Sequence, residues 1–265
     1  MTNQPKLLDG AEPAGFIQAR HIRIVAGMKT KPRLAIIRSA ENPAGDQYLR
    51  MKHRHGRTIG VPVDLYVESG KGIIKRIEQL NADPNVTGIL IQLPLKEGGE
   101  LTNRALAAVT PAKDIDGLGP NSPYEPGTVK AVLWLLAAYN IDITGRSVIV
   151  GQGRLVGRPL ADRLEAAGHE VVRADITTAD LGALTRTGDL LFTGTGRPGL
   201  IHADMVKPGA VVVDTGAPSA ELDPALYERS DLKAITPNPG GVGPMTVASL
   251  FDNLLIAAQT TRATP

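Results

Sequence analysis

The sequence predicts two α/β domains with a cleft between them, the second a Rossmann-like doubly wound parallel sheet. Three observations carry this. Short apolar runs alternate with helix-period segments in two separate rounds. A passage rich in Pro, Gly and Asp, "PAKDIDGLGPNSPYEPGT" (111–128), separates the rounds. The second round opens on a strand that runs into a glycine turn, "VIVGQGRLVGRPL".

In the first round, "RLAIIR" (33–38) is a buried strand, "NPAG" punctuates, and "DQYLRMKHRHGRTIG" is a helix ending near Gly60. "VDLYVE" (63–68) is a second strand, and "GIIKRIEQLNAD" repeats Ile73, Ile74, Ile77 and Leu80 at helical spacing. "VTGILIQLPL" (86–95) is a third apolar run, stopped by Pro94. "VKAVLWLLAAYN" (129–140) is a connecting helix with Trp134 and Leu135 in the core. The second round gives a strand at 146–150, a helix at 159–168, a strand at 170–175, and two runs ending in Gly-rich turns, 189–196 and 210–216. "MTVASLFDNLLIAAQ" closes the chain as a helix.

Composition narrows the function. Hydrophobic residues make up 42% of the 265, enough for a packed core, and aromatics only 3%. The net charge of +2 lacks the basic stripe that nucleic acid requires; the cluster from Arg50 to Arg57 points several ways on a helix. With no cysteine, disulfides, thiolate zinc sites and thiol catalysis are excluded. No apolar stretch reaches membrane-spanning length and the first residues lack a signal-peptide run, so no membrane partner and a cytoplasmic location are expected.

Several residues stand out as chemistry. Tyr48 and Lys52, four apart, leave one helix face together. The glycines at 151, 153 and 157 suit a tight turn that lets backbone approach a pyrophosphate at a helix N-terminus, although the spacing is one residue longer than the usual fingerprint, and an ordinary βα turn is the alternative. Asp175 ends the next strand, where a carboxylate can bond a ribose 2′-OH; the alternative is a simple turn residue. Gln92 ends a strand before a proline, where an amide can hold an ammonium or merely cap a turn. Asp114 and Asp116 in "KDIDG" lack the His or Glu that would make them a metal pair, and no metal is expected. "TPNPGGVGPMT" (236–246) offers bare, rigid backbone just before the last helix. A Tyr-x-x-x-Lys pair also occurs in short-chain dehydrogenases, but there it follows the glycine loop, whereas here it precedes it.

The segments "NPAGDQYLRMK", "GILIQLPL", "KDIDG", "VGQGRLVGRPL", "TGTGRP" and "PGGVGPMT", in this order across about 33–258, resemble the bifunctional methylenetetrahydrofolate dehydrogenase/methenyltetrahydrofolate cyclohydrolase family. The resemblance implies a folate-binding catalytic domain at 1–125 and 245–265 and a dinucleotide domain at 126–244. It implies that Lys52 is the catalytic lysine, that Tyr48 stacks on the folate, that Gln92 holds and tunes Lys52, and that Asp116 anchors the pterin. Ile91, Leu93 and the backbone of Pro239, Gly240, Gly241, Val242 and Gly243 would border the folate. The dinucleotide, NADP or NAD, would meet Gly151, Gln152, Gly153, Arg154, Asp175, Ile176, Thr195, Gly196, Ala217 and Thr246. Tetrahydrofolate derivatives are the implied substrates, and a homodimer the implied assembly. A dehydrogenase-only member, a non-catalytic folate or nucleotide binder, and a shikimate-type dehydrogenase are the rival readings.

The chain departs from the family pattern in places. Gly45 replaces the usual serine before the tyrosine, the stretch from Asp116 to Pro126 is short, "PYEP" stands for "PCTP", and "TPNPGG" for "TPVPGG". "GQG" replaces "GRS" in the cofactor loop and Ile176 takes a phosphate-binding serine's place. NADP is the family default, whereas Asp175 and Gln152 lean towards NAD; Arg154 or Arg173 could supply the missing phosphate contacts.

Overall fold

The structure, a computed structural model, describes residues 4–39 and 43–260. Of the "NPAG" punctuation, Asn42 lies outside these residues. The chain forms two compact units.

The first strand, β1 (Lys6–Leu7), precedes α1 (Ala11–Ala26). Then β2 (Leu34–Arg38), α2 (Pro43–Ile59), β3 (Val63–Val67), α3 (Lys71–Ala82), β4 (Gly88–Ile91) and α4 (Gly99–Ala108) follow in alternation. Strands β3-β2-β4 make a parallel three-stranded sheet, with Ile36 beside Leu65 and Leu90. Every residue of β2 is buried, and its side chains alternate between two cores, as the period of a strand requires. Leu34 and Ile36 pack with Leu49 and Ile59 of α2 and with Phe251 and Leu254 near the end of the chain. Ala35 and Ile37 face Ile73, Ile77 and Leu80 of α3 and Ala105 and Leu106 of α4.

The other unit begins at α5 (Gly127–Ala138), which starts two residues earlier than its apolar run predicts. It continues with β5 (Arg146–Val150), α6 (Gly157–Ala166), β6 (Glu170–Ala174), α7 (Leu181–Thr185), β7 (Leu190–Thr193), β8 (Val211–Asp214) and β9 (Ala234–Ile235); the last helix, α8 (Val242–Thr260), belongs to it only as far as Thr246. The sheet is parallel throughout in the order β1-β9-β8-β7-β5-β6. Chain direction across it reverses between β5 and β7, the switch point outside whose carboxyl ends open α/β sheets bind ligands.

One boundary needs correcting. The sequence assigns 1–125 to the first domain, yet the described residues up to Pro13 belong with Thr128–Thr246. The cause is β1: Lys6 and Leu7 pair with Ala234 and Ile235, Lys6 Nζ donates to the Tyr139 carbonyl at 3.0 Å, and the Tyr139 hydroxyl donates to the Asp9 carbonyl at 2.9 Å. A two-residue strand has no period to read. The remaining unit comprises Ala14–Gly127 and the chain from Val247 onward.

Candidate active site

Helix α2 begins with Asp46 in its first turn, ion-paired to Arg38 of β2 at 2.5 Å. Two residues on, Tyr48 is half-buried, and one turn later Lys52 is 7% exposed. A lysine this enclosed must have a polar partner, and it has one: Nζ donates to Gln92 Oε1 at 2.8 Å. Gln92 follows β4 and extends its ladder through N–H to the Ile37 carbonyl, while its Nε2 reaches the Leu93 carbonyl at 3.3 Å. Both ends of the Lys52–Gln92 bond therefore stand on regular structure. Ile91 is in the core at 3% exposure and Leu93 packs against the same core, so any substrate contact at Ile91 falls to its backbone.

Asp116 arrives on the loop after α4. Lys113 fixes that loop: its Nζ donates to the carbonyls of Leu80, Asn81 and Asp83 at 2.7–2.8 Å, capping the C-terminal end of α3. Asp114, 4% exposed, turns the other way and accepts the Gly119 N–H at 2.8 Å. The two carboxylates of "KDIDG" thus have separate tasks, and among the described residues no group of three His, Cys, Asp or Glu could hold a metal.

The electrostatics follow from burial. Desolvation pulls the Lys52 ammonium down to about 8, against the opposing charge of Asp116. Desolvation pushes Asp116 up to about 6, with Lys52 acting against that and Asp114 adding to it. Among the described residues Lys52 donates to a neutral amide and not to a carboxylate, so burial outweighs the neighbouring charge.

The second unit brings together a different kind of surface. After β5 the chain turns at Gly151, whose φ of 92° favours glycine, and Gly151 N–H donates to the Ala174 carbonyl at 2.8 Å. Gly157 opens α6 hard against this turn: a Cβ there would lie 1.7 Å from the Gly151 oxygen. The helix begins two residues before the Pro159 the sequence suggests, because Gly157 permits the approach. Gln152 Nε2 donates to the Ile149 carbonyl at 3.1 Å, leaving Oε1 buried with no hydrogen-bond partner among the described residues. Gly153 and Arg154 are exposed. This turn and the following helix N-terminus suit the pyrophosphate of a dinucleotide, while the Gln152 amide ties the turn back to β5.

Of the other residues that the resemblance assigns to the dinucleotide, Thr195 and Gly196 follow β7, Ala217 follows β8, and Thr246 lies in the second turn of α8. Asp175, exposed, accepts from the Thr177 N–H at 2.8 Å and the Thr177 hydroxyl at 2.6 Å, so it serves a turn as the simpler reading proposes. Ile176 is 92% exposed. Arg173 is committed to Asp162 and Glu165 and is not a spare cation. The loop from Pro239 to Gly243 is tied to the N-terminal segment: Gly10 N–H donates to the Gly240 carbonyl at 2.8 Å. Three residues the sequence did not single out, Asp214, Glu221 and Asn238, bond into these loops. Only Asn238 left a trace in the sequence, as a departure from "TPVPGG".

A parallel sheet with a glycine turn at its switch point, joined in one chain to a unit that buries a lysine on an amide, defines a two-unit α/β dinucleotide-dependent enzyme. The comparisons make the class specific. Residues 8–116 match the tetrahydrofolate dehydrogenase/cyclohydrolase catalytic domain and residues 126–262 its NAD(P)-binding domain. The chain belongs to the tetrahydrofolate dehydrogenase/cyclohydrolase family. It is 36% identical to the bifunctional protein FolD of Wolinella succinogenes, over 98% of this chain and 99% of that one. The FolD methylenetetrahydrofolate dehydrogenase/cyclohydrolase of Campylobacter jejuni superposes with a TM-score of 0.88 at 33% identity, covering 97% of this chain and 99% of the other. The Trypanosoma brucei enzyme, solved with NADP and an inhibitor, gives 0.90 at 26% identity over 98% and 99%.

Proposed function

We propose that the protein oxidises 5,10-methylenetetrahydrofolate to the 5,10-methenyl form with a nicotinamide dinucleotide and then hydrolyses the product to 10-formyltetrahydrofolate. The observation that carries the second step is the bond from the buried Lys52 Nζ to the neutral Gln92 Oε1 at 2.8 Å. The bound dinucleotide supplies the hydride acceptor. The chain's residues do the rest. Tyr48 offers a ring for the folate to stack on, and Asp116 an acceptor for the pterin's N–H groups. The Pro239–Gly243 backbone borders the folate. Water adds to the methenyl carbon and a net proton must leave. With its ammonium pulled down to about 8, about a tenth of Lys52 is neutral at pH 7 and can take that proton. Gln92 keeps the amine aimed without adding the negative charge that would hold it protonated.

For the cofactor, NAD accords best with the local chemistry. Arg173 is spent on two carboxylates, and the position after Asp175 is an exposed isoleucine. A 2′-phosphate would meet the exposed Asp175 carboxylate there, whereas a ribose hydroxyl can donate to it. Initial rates with methylenetetrahydrofolate and each dinucleotide at saturation, followed by decay of the methenyl absorbance, test both readings. A clear preference for NADP overturns the NAD assignment and points to Arg154; a stable methenyl product overturns the hydrolytic step. Homodimer formation and a cytoplasmic location belong to the same reading and are tested by light scattering and cell fractionation.

A further inference from the structure

Glu221 is 1% exposed in the interior of the dinucleotide unit, and among the described residues no lysine, arginine or histidine forms an ion pair with it. A buried carboxylate of this kind must be satisfied by donors. The donors are those of one turn. Oε1 accepts the N–H groups of Thr195 at 2.7 Å and Gly196 at 2.6 Å, and Oε2 accepts the Thr195 hydroxyl at 2.9 Å. Beneath it Asp214, 2% exposed, accepts the backbone N–H of Glu221 at 3.0 Å and that of Gly216 at 2.7 Å, with the Thr193 hydroxyl at 3.2 Å. Asn238 adds a third loop, donating to Asp214 at 3.2 Å and to the Gly216 carbonyl at 2.7 Å.

The clasped turn abuts the glycine turn of β5. A Cβ on Gly151 would lie 2.5 Å from the Gly194 oxygen, so the shape of 194–196 sets how Gly151 can sit. The N–H groups of Thr195 and Gly196 are those a phosphate could otherwise capture, and here an internal carboxylate holds them.

We propose that Glu221, braced by Asp214, is a positioning residue for the dinucleotide: it holds the 194–196 turn against the Gly151 turn and keeps that turn's N–H groups from binding phosphate. The inference rests on the function proposed above. Glu221→Gln puts an NH2 among N–H donors; Glu221→Asp keeps the charge but falls one methylene short of the turn.

The hydrolysis of methenyltetrahydrofolate consumes no dinucleotide and so reports separately on the folded enzyme. Dehydrogenase kinetics, dinucleotide binding and hydrolysis are measured on the wild type and both variants. The expected result is a KM and Kd for the dinucleotide raised about tenfold or more in Glu221→Gln, and less in Glu221→Asp. The folate KM and the rate of hydrolysis stay within about twofold of wild type. Dehydrogenation and hydrolysis falling together in both variants, or dinucleotide affinity unmoved in both, overturns the positioning role. A wild type that neither binds nor reduces a dinucleotide overturns the functional reading and this inference with it.

Discussion

The two units hold their candidate residues in opposite ways. In the Lys52 unit the chemistry is borne by side chains on or beside regular elements: Lys52 on α2 and Gln92 directly after β4, joined by one hydrogen bond. In the dinucleotide unit the surface is mostly backbone, and side chains such as Asp214, Glu221 and Asn238 work underneath it by holding loops in shape. The first arrangement concentrates function in a few atoms, so it fails through lost chemistry. The second spreads function over N–H groups and close approaches, so it fails through lost geometry.

The sharpest way to break this contrast is Lys52→Gln. It should lower the hydrolysis of methenyltetrahydrofolate roughly 100- to 10,000-fold while dinucleotide binding, measured by titration, stays unchanged. A variant hydrolysing at the wild-type rate would sink the proton-carrying role. The wild-type pH profile should agree: hydrolysis rises as Lys52 loses its proton near pH 8 and weakens below about 6 as Asp116 gains one. An Asp116→Asn variant should lose the lower limb.

Acid should separate the units by stability. His55, one turn after Lys52, stacks on Phe251 and is buried with His21; Gln18 contacts its ring, and Asp252 holds His21 and Arg20. Burial first, then His21, pulls His55 down to about 4. An unfolded histidine binds its proton near 6.5, so the folded unit's advantage is whole above that and disappears as pH falls through about 4. The amplitude is about 3 kcal/mol. The histidines of the other unit, His169 and His202, are not buried. Urea unfolding at pH 7 and 4.5 should show the loss, and His55→Leu should reduce it; an equal slope in that variant would count against the assignment.

Gly157→Ala tests the backbone surface. One methyl against the Gly151 oxygen should cost about 1–3 kcal/mol and weaken dinucleotide binding about 10- to 100-fold, with hydrolysis retained. The smallest effect is expected of Asn238→Val, which deletes one clip between loops. A loss of about 1 kcal/mol, read as a few-fold rise in dinucleotide KM, would fit, and no change would mark the asparagine as a passive substitution.

Much of this was legible in advance for a physical reason. Helix and strand periods lie within a few consecutive residues, so β2, α2, α3 and β5 could be read from local pattern, and β5 was read to the residue. The glycine turn was legible because only glycine satisfies a positive φ at 151 and the close approach at 157. Helices α1 and α4 passed unread: the first carries polar and apolar residues with little order, and the second hides behind the Gly-Gly at 98–99. Roles for Tyr48, Lys52, Gln92 and Asp116 came from family resemblance, since the local chemistry of Gln92 suited a cap equally well.

By itself the sequence determined the alternation of elements, the glycine turn and the presence of an uncharged partner candidate for Lys52. Only the tertiary structure decided that β1 completes the far sheet, that Gln92 meets Lys52 across 40 residues, and that Glu221 clasps a turn 25 residues away. Each of these is a contact between distant positions, and the burial that pulls Lys52 towards neutrality is a property of everything packed around it. Neither leaves a periodic mark on the chain.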